Sequence, residues 1–72
     1  MKTFKIDGDY ITILQLLKVE GLISSGGEIS LFLMNNQVLL NGSVVNEKRK
    51  KIYPKDFLEV NSIKYRFVWL RK

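Results

Sequence analysis

One stretch, Leu14 to Gly42 (LQLLKVEGLISSGGEISLFLMNNQVLLNG), leaves few folds open. It reads as two short helices, each with its own start and stop signals, running into a β-hairpin. Thr12 is a good N-cap, and Gln15 three residues later completes a capping box. Ile11 and Leu16 occupy the two positions of a hydrophobic staple. Gly21 suits the left-handed C′ position, with Leu22 closing back on Leu17 in a Schellman motif. These signals predict a first helix over Ile13 to Glu20, about two turns long. So short a helix does not persist alone in water, so Ile13 and Leu17 must pack against other elements.

The second helix repeats the punctuation. Ser25-Gly26-Gly27-Glu28 reads as a capping box, with Ser25 as cap and Glu28 reaching back to it. Ile29, Phe32 and Leu33 fall on one face, and Asn35-Asn36 end the helix because Asn tolerates a left-handed backbone. The short link Leu22-Ile23-Ser24 forces a sharp corner between the helices. Val38-Leu39-Leu40 follows as a strand. Asn41-Gly42 then signals a type I′ turn, which requires positive φ at both central residues.

On either side the chain reads as sheet. Thr3-Phe4-Lys5-Ile6 alternates polar and apolar, and Asp7-Gly8-Asp9 turns it. An Asp-x-Asp pair can hold a divalent cation, but the rest of a calcium loop is absent and a plain turn is preferred. Ser43-Val44-Val45 completes the hairpin, and Tyr53-Pro54-Lys55-Asp56 forms a turn with Pro at its second position. Phe57 to Val60 and Ile63 to Leu70 supply two more strands joined at Asn61-Ser62. In the last, Ile63, Tyr65, Phe67 and Trp69 share one face. That face is core in so small a sheet, with base stacking as the alternative.

Composition narrows the chemistry. The 72 residues include neither Cys nor His, which removes thiolate and imidazole metal ligands and the usual general base at neutral pH. No paired carboxylates or nucleophile constellation emerges either, so no catalytic activity, cofactor or metal is expected. The N-terminus lacks the apolar run of a signal peptide and no segment is long enough to span a bilayer. A cytoplasmic protein without a membrane partner or small-molecule substrate is expected. Twelve Lys and Arg against seven Asp and Glu give a net charge of +5, and a polyanionic partner fits that balance.

The charge is concentrated. Lys48-Arg49-Lys50-Lys51 places four cations in a row on what reads as a loop. They repel one another unless an anion is near, and phosphates would relieve that repulsion. A solvated loop is the plainer reading. A second candidate is Ser25-Gly26-Gly27, where small residues let a phosphate approach the backbone N–H groups at the start of helix two. Capping by Glu28 competes for those donors and is preferred. No Walker-type Lys follows the glycines, so a P-loop is excluded.

The order of helix, sharp corner, helix, Asn-Gly hairpin, basic loop and short sheet resembles the S4-like RNA-binding domain, the two-helix alpha-L module. The matching residues are Ile13 and Leu17, Gly21 and Ser25 at the corner, and Leu33 in helix two. Val38, Leu40-Asn41-Gly42 and the Asp56 turn before Leu58-Glu59-Val60 complete the match. It covers about residues 12–60, within a single domain of residues 1–72 similar to small stand-alone bacterial members.

The resemblance implies a non-catalytic module whose alpha-L face docks on structured RNA, ribosomal RNA foremost, in ribosome assembly or a related role. The chain departs from the family at instructive places. Thr12-Ile13-Leu14 stands where the family has Arg-Leu-Asp, and Gly26 and Ser30 stand where it has arginines. Ile29 replaces an alanine, Asn36 a glycine, and Lys55-Asp56 a Gly-Asp turn. The expected RNA contacts are therefore Lys18, Ser25, Gly26, Gly27, Ser30, Asn41, Lys48, Arg49, Lys50, Lys51 and Lys55, with the lysines and Arg49 supplying the charge. The expected architecture is α+β, the alpha-L helices packed on a small, mostly antiparallel sheet. Two rival readings are a protein-interaction module using Trp69 and a strand edge, and a DNA-binding accessory protein. DNA is disfavoured because no free recognition helix is evident.

Overall fold

Two Asn-led turns set the register of the sheet. In the computed structural model, which describes residues 1–70, Asn41 and Gly42 have φ of 51° and 87°. They join β3 (Val38–Leu40) to β4 (Ser43–Val44) as a two-residue hairpin pairing Leu40 with Ser43. Asn61 and Ser62, with φ of 49° and 74°, do the same between β6 (Phe57–Val60) and β7 (Ile63–Trp69). The lead-in strand β1 (Lys2–Ile6) lies parallel to β7 with Phe4 opposite Phe67. The sheet order is β1-β7-β6-β3-β4, antiparallel except for that edge pair. The fold is the expected α+β arrangement.

Alternation then decides which side chains face the helices. Val38, Leu40, Leu58, Val60, Tyr65 and Phe67 are all buried, while Leu39, Phe57, Glu59, Lys64 and Arg66 alternate with them on the other face. The aromatic face of β7 is core at its centre, with Tyr65 and Phe67 only 3% and 2% exposed. At its ends Ile63 (49%) and Trp69 (53%) are open to solvent. Ile13, Leu16 and Leu17 of α1 (Ile13–Val19) and Ile29 of α2 (Ile29–Asn35) complete the same cluster. Full burial of each such side chain is worth about 1.5–3 kcal/mol, which is what holds helices of seven residues.

The caps of α1 are as expected. Gln15 N–H donates to Thr12 Oγ1 and Thr12 N–H to Gln15 Oε1, at 3.2 and 2.9 Å. At the far end Gly21 has φ of 75°, with Leu22 N–H bonded to the Leu17 carbonyl and Gly21 N–H to that of Lys18.

Around α2 the expectation needs correcting. Ser25 makes no side-chain cap. Residues Gly26–Glu28 form a 3₁₀ turn closed by Glu28 N–H to the Ser25 carbonyl, and the Glu28 carboxylate reaches past Ser25 to accept from Ser24 N–H at 3.1 Å. Asn36 is not left-handed but extended (φ −133°), and it stops α2 by donating from Nδ2 to the Phe32 carbonyl at 2.9 Å.

A further correction concerns the basic segment. Lys51 is not in a loop: β5 (Lys51–Ile52) pairs antiparallel with β2 (Ile11–Thr12), joining Ile11 to Ile52 and Thr12 to Lys51. Ile13 N–H then donates to the Lys50 carbonyl at 2.9 Å, satisfying a free donor at the start of α1.

Two features of the fold are open to direct test. Tyr65 donates its hydroxyl to Glu20 Oε1 at 3.2 Å, and Lys2 Nζ lies 3.7 Å from the same oxygen. Burial foremost, then the Glu20 charge and hydrogen bond, raise the Tyr65 phenol above its ordinary 10.0. The stability this contributes is complete below that ordinary value and is lost as pH rises through the folded-state value. Wild type is expected to lose urea stability more steeply than Tyr65→Phe above about pH 10, where a free tyrosine ionises. Parallel curves would remove the coupling. Separately, Lys55 holds φ of 81° in the Pro54 turn, a conformation suited to glycine. Lys55→Gly is expected to raise stability by about 1 kcal/mol in denaturant melts.

Candidate nucleic-acid interface

The four cations of the basic segment do not point one way. Glu47 to Lys50 form a turn closed by Lys50 N–H to the Glu47 carbonyl at 3.2 Å, which places Lys48 and Arg49 at its apex. Lys48 lines a groove of about 380 Å³ with Ser30, Leu33 and Met34 of α2. Lys50 lines another, of about 280 Å³, with Asn41 and the β4 segment. Lys51 turns back over Tyr10, its Nζ 4.8 Å from the ring centroid. One run of charge thus serves three directions around the start of α1.

Two sites that seemed separate in sequence meet here. Ser30, which the resemblance sets at a customary arginine position, shares its groove with Lys48. A cation of the basic segment thus lines the same groove as α2. Lys18 is exposed on α1 and lines a third groove, of about 410 Å³, with Lys5, Tyr10 and Gln15. Lys5 and Tyr10 were not singled out in the sequence. Lys5 sits at an outward position of β1, and Tyr10 has no periodic pattern to mark it.

Lys55 stands apart from the other candidates. Its groove is lined by Phe57, Arg66 and Val68, on the sheet face away from the helices, and by none of the other expected contacts. Ser25, Gly26 and Gly27 form the corner before α2. The Glu28 carboxylate, which also lies 3.5 Å from Ser25 Oγ, faces that backbone and opposes an anion there. Neither Gly26 nor Gly27 has positive φ, and a Cβ at either would meet nothing closer than ordinary contact with Leu14.

Asn41 has a structural task. Its Oδ1 accepts from Phe57 N–H at 2.8 Å, and its Nδ2 donates to Asp56 Oδ1 at 3.2 Å. The other Asp56 oxygen accepts from Tyr53 N–H at 2.8 Å. The hairpin turn and the Pro54 turn are therefore locked together by the Asn41 amide.

Electrostatically, the interface is unbalanced. Among the described residues the only ion pair within 4.0 Å is Lys2–Glu20, so Lys18 and all four cations of the basic segment lack a carboxylate partner at that distance. No group of acidic residues able to hold a metal occurs among the described residues, and no described helix is long and apolar enough to cross a membrane.

Comparison with known proteins shows the family. The chain matches the family model described as S4 domain over residues 4–68. That span takes in the end of β1 and nearly all of β7, beyond the residues 12–60 that carry the sequence resemblance. The chain is also similar to the probable ribosome maturation protein RlbA of Bacillus subtilis (strain 168). The two are 38% identical over 55 residues, which cover 76% of this chain and 78% of the relative.

The dual demand on residue 41, positive φ and two side-chain bonds, can be separated by substitution. Asn41→Gly keeps the backbone and loses the bonds, at an expected cost of about 1–2 kcal/mol. Asn41→Ala loses both and is expected to cost about 2–4 kcal/mol in urea melts. Equal losses would mean that the amide, not the backbone, is the whole requirement.

Proposed function

The chain belongs to the S4 domain family, and from that premise we propose that it is a non-catalytic module docking on structured RNA, with ribosomal RNA as the target. Cytoplasmic ribosome assembly is the setting that fits. The observation that carries this reading is the fan of cations without a carboxylate partner among the described residues, Lys18 and Lys48 to Lys51, around α1. Held on a rigid scaffold, such charges match a phosphate backbone and release its counterions on binding. Broad, shallow RNA surfaces suit a module of two short helices that offers no protruding recognition helix. The Bacillus relative is a probable ribosome maturation protein, which supports the choice of RNA.

Lys48 and Ser30 mark the centre of the docking surface in this reading, with Lys18, Arg49, Lys50 and Lys51 around it. Asn41 contributes by fixing the hairpin beside Lys50. At Gly26 and Gly27 the absence of side chains leaves room for a sugar or base edge, since the Glu28 carboxylate opposes a phosphate there. Lys55 is peripheral, since it opens onto the other face of the sheet.

Replacing Lys48, Arg49, Lys50 and Lys51 together by Glu is expected to abolish RNA association. The circular dichroism spectrum should stay native, because all four side chains are exposed. For the wild type, log affinity should fall linearly with log salt, at a slope of about −0.7 to −0.9 per neutralised phosphate. Crosslinking in cells followed by sequencing of the bound RNA should recover ribosomal RNA ahead of other transcripts. Salt-independent binding, or retention of RNA by the reversed variant, would refute the assignment.

A further inference from the structure

Tyr10 and Tyr53 flank the tiny β2–β5 ladder, one step beyond the Ile11–Ile52 pair. Their rings lie 5.7 Å apart, tilted at 51°, and remain 39% and 45% exposed. The ladder itself is anchored by Ile52, which is completely buried. A second cross-strand pair can add to that anchoring, but it does not account for the other side of Tyr10. There the side chain forms a wall of the groove of about 410 Å³ between β1 and α1.

The lining of this groove has the makings of a nucleotide site. Phe4, Ile11 and Tyr10 give it apolar and aromatic walls, and Lys5 and Lys18 place two cations at it against the single acid Asp7. Gln15 spends its Oε1 on the α1 cap, accepting from Thr12 N–H, while its Nε2 has no partner among the described residues. A free amide donor beside an aromatic wall can read the edge of a stacked base. The volume lies within the roughly 300–1,000 Å³ of small-ligand sites. Lys51 over the Tyr10 ring ties the groove to the basic segment.

We propose that this groove takes one unpaired nucleotide of the bound RNA, its base stacked on Tyr10 and its phosphate neutralised by Lys5 and Lys18. The inference rests on the RNA-docking reading and deepens it. Charge on the basic segment holds duplex RNA regardless of sequence, whereas this groove selects RNA with a base out of the stack. Discrimination for an unpaired base by such stacking corresponds to about tenfold in affinity.

Two RNA hairpins with the same stem test this, one carrying a single bulged 2-aminopurine and the other fully paired. Titrated at low salt, the bulged hairpin is expected to bind about tenfold tighter, with its 2-aminopurine emission quenched on binding. Tyr10→Leu should abolish the preference and the quench, and Tyr10→Phe should keep both. Lys18→Glu, at an exposed position that does not threaten the fold, should weaken the bulged complex more than the paired one. Equal binding of the two hairpins by wild type, or a quench that survives Tyr10→Leu, would overturn the nucleotide site and leave RNA docking intact. If neither hairpin binds at low salt, both readings are overturned.

Discussion

A single backbone bond, Ile13 N–H to the Lys50 carbonyl at 2.9 Å, decides where the charge of this protein sits. The first turn of any helix has N–H groups with no partner inside the helix. Here one of them is satisfied by the segment that carries the longest run of positive charge. With the Thr12–Lys51 and Ile11–Ile52 pairings beside it, this bond fixes the basic segment against the positive end of the α1 dipole. Four cations and a helix N-terminus of the same sign are thereby held together. That arrangement is repulsive in the free protein and is relieved by an anion.

The rest of the structure makes the repulsion tolerable. The buried cluster joins both helices to every strand of the larger sheet but β4, so the basic segment need not contribute to the core beyond Ile52. Lys48, Lys50 and Lys51 are also directed into different surroundings, which separates charges that are adjacent in sequence. The cost is lowered further by exposure, since water and salt screen surface charges. A phosphate backbone displaces that screening, and the same cations then act together.

Features set by neighbours in sequence could be read directly: the Thr12–Gln15 box, the Gly21 terminus, both Asn-led turns and the alternation of β7. Each depends on local backbone geometry. Features set by distant partners could not. A ladder of two residues per strand leaves no period to detect, so Ile11 and Lys51 looked like cap and loop. Glu28 follows the capping pattern, yet the 3₁₀ turn redirects it to Ser24. Asn41 was read as a turn residue and an RNA contact, and its bonds to Asp56 and Phe57, fifteen and sixteen residues away, were not. The candidate site divides in the same way: its cations were evident, but the grooves they line were not.

Residue 30 shows what this geometry permits. Ser30 brings no charge to α2, and Lys48 supplies one to the same groove. The Lys48 backbone belongs to a turn laced to α1 through Lys50. The cation of this groove is therefore anchored to the first helix and not to the second. A charge carried by a turn adjusts more readily than one carried by a helix, whereas the groove floor of Leu33 stays tied to the core. Conformable charge over a fixed apolar base suits a partner recognised by backbone shape, where register along the phosphates matters more than any one contact.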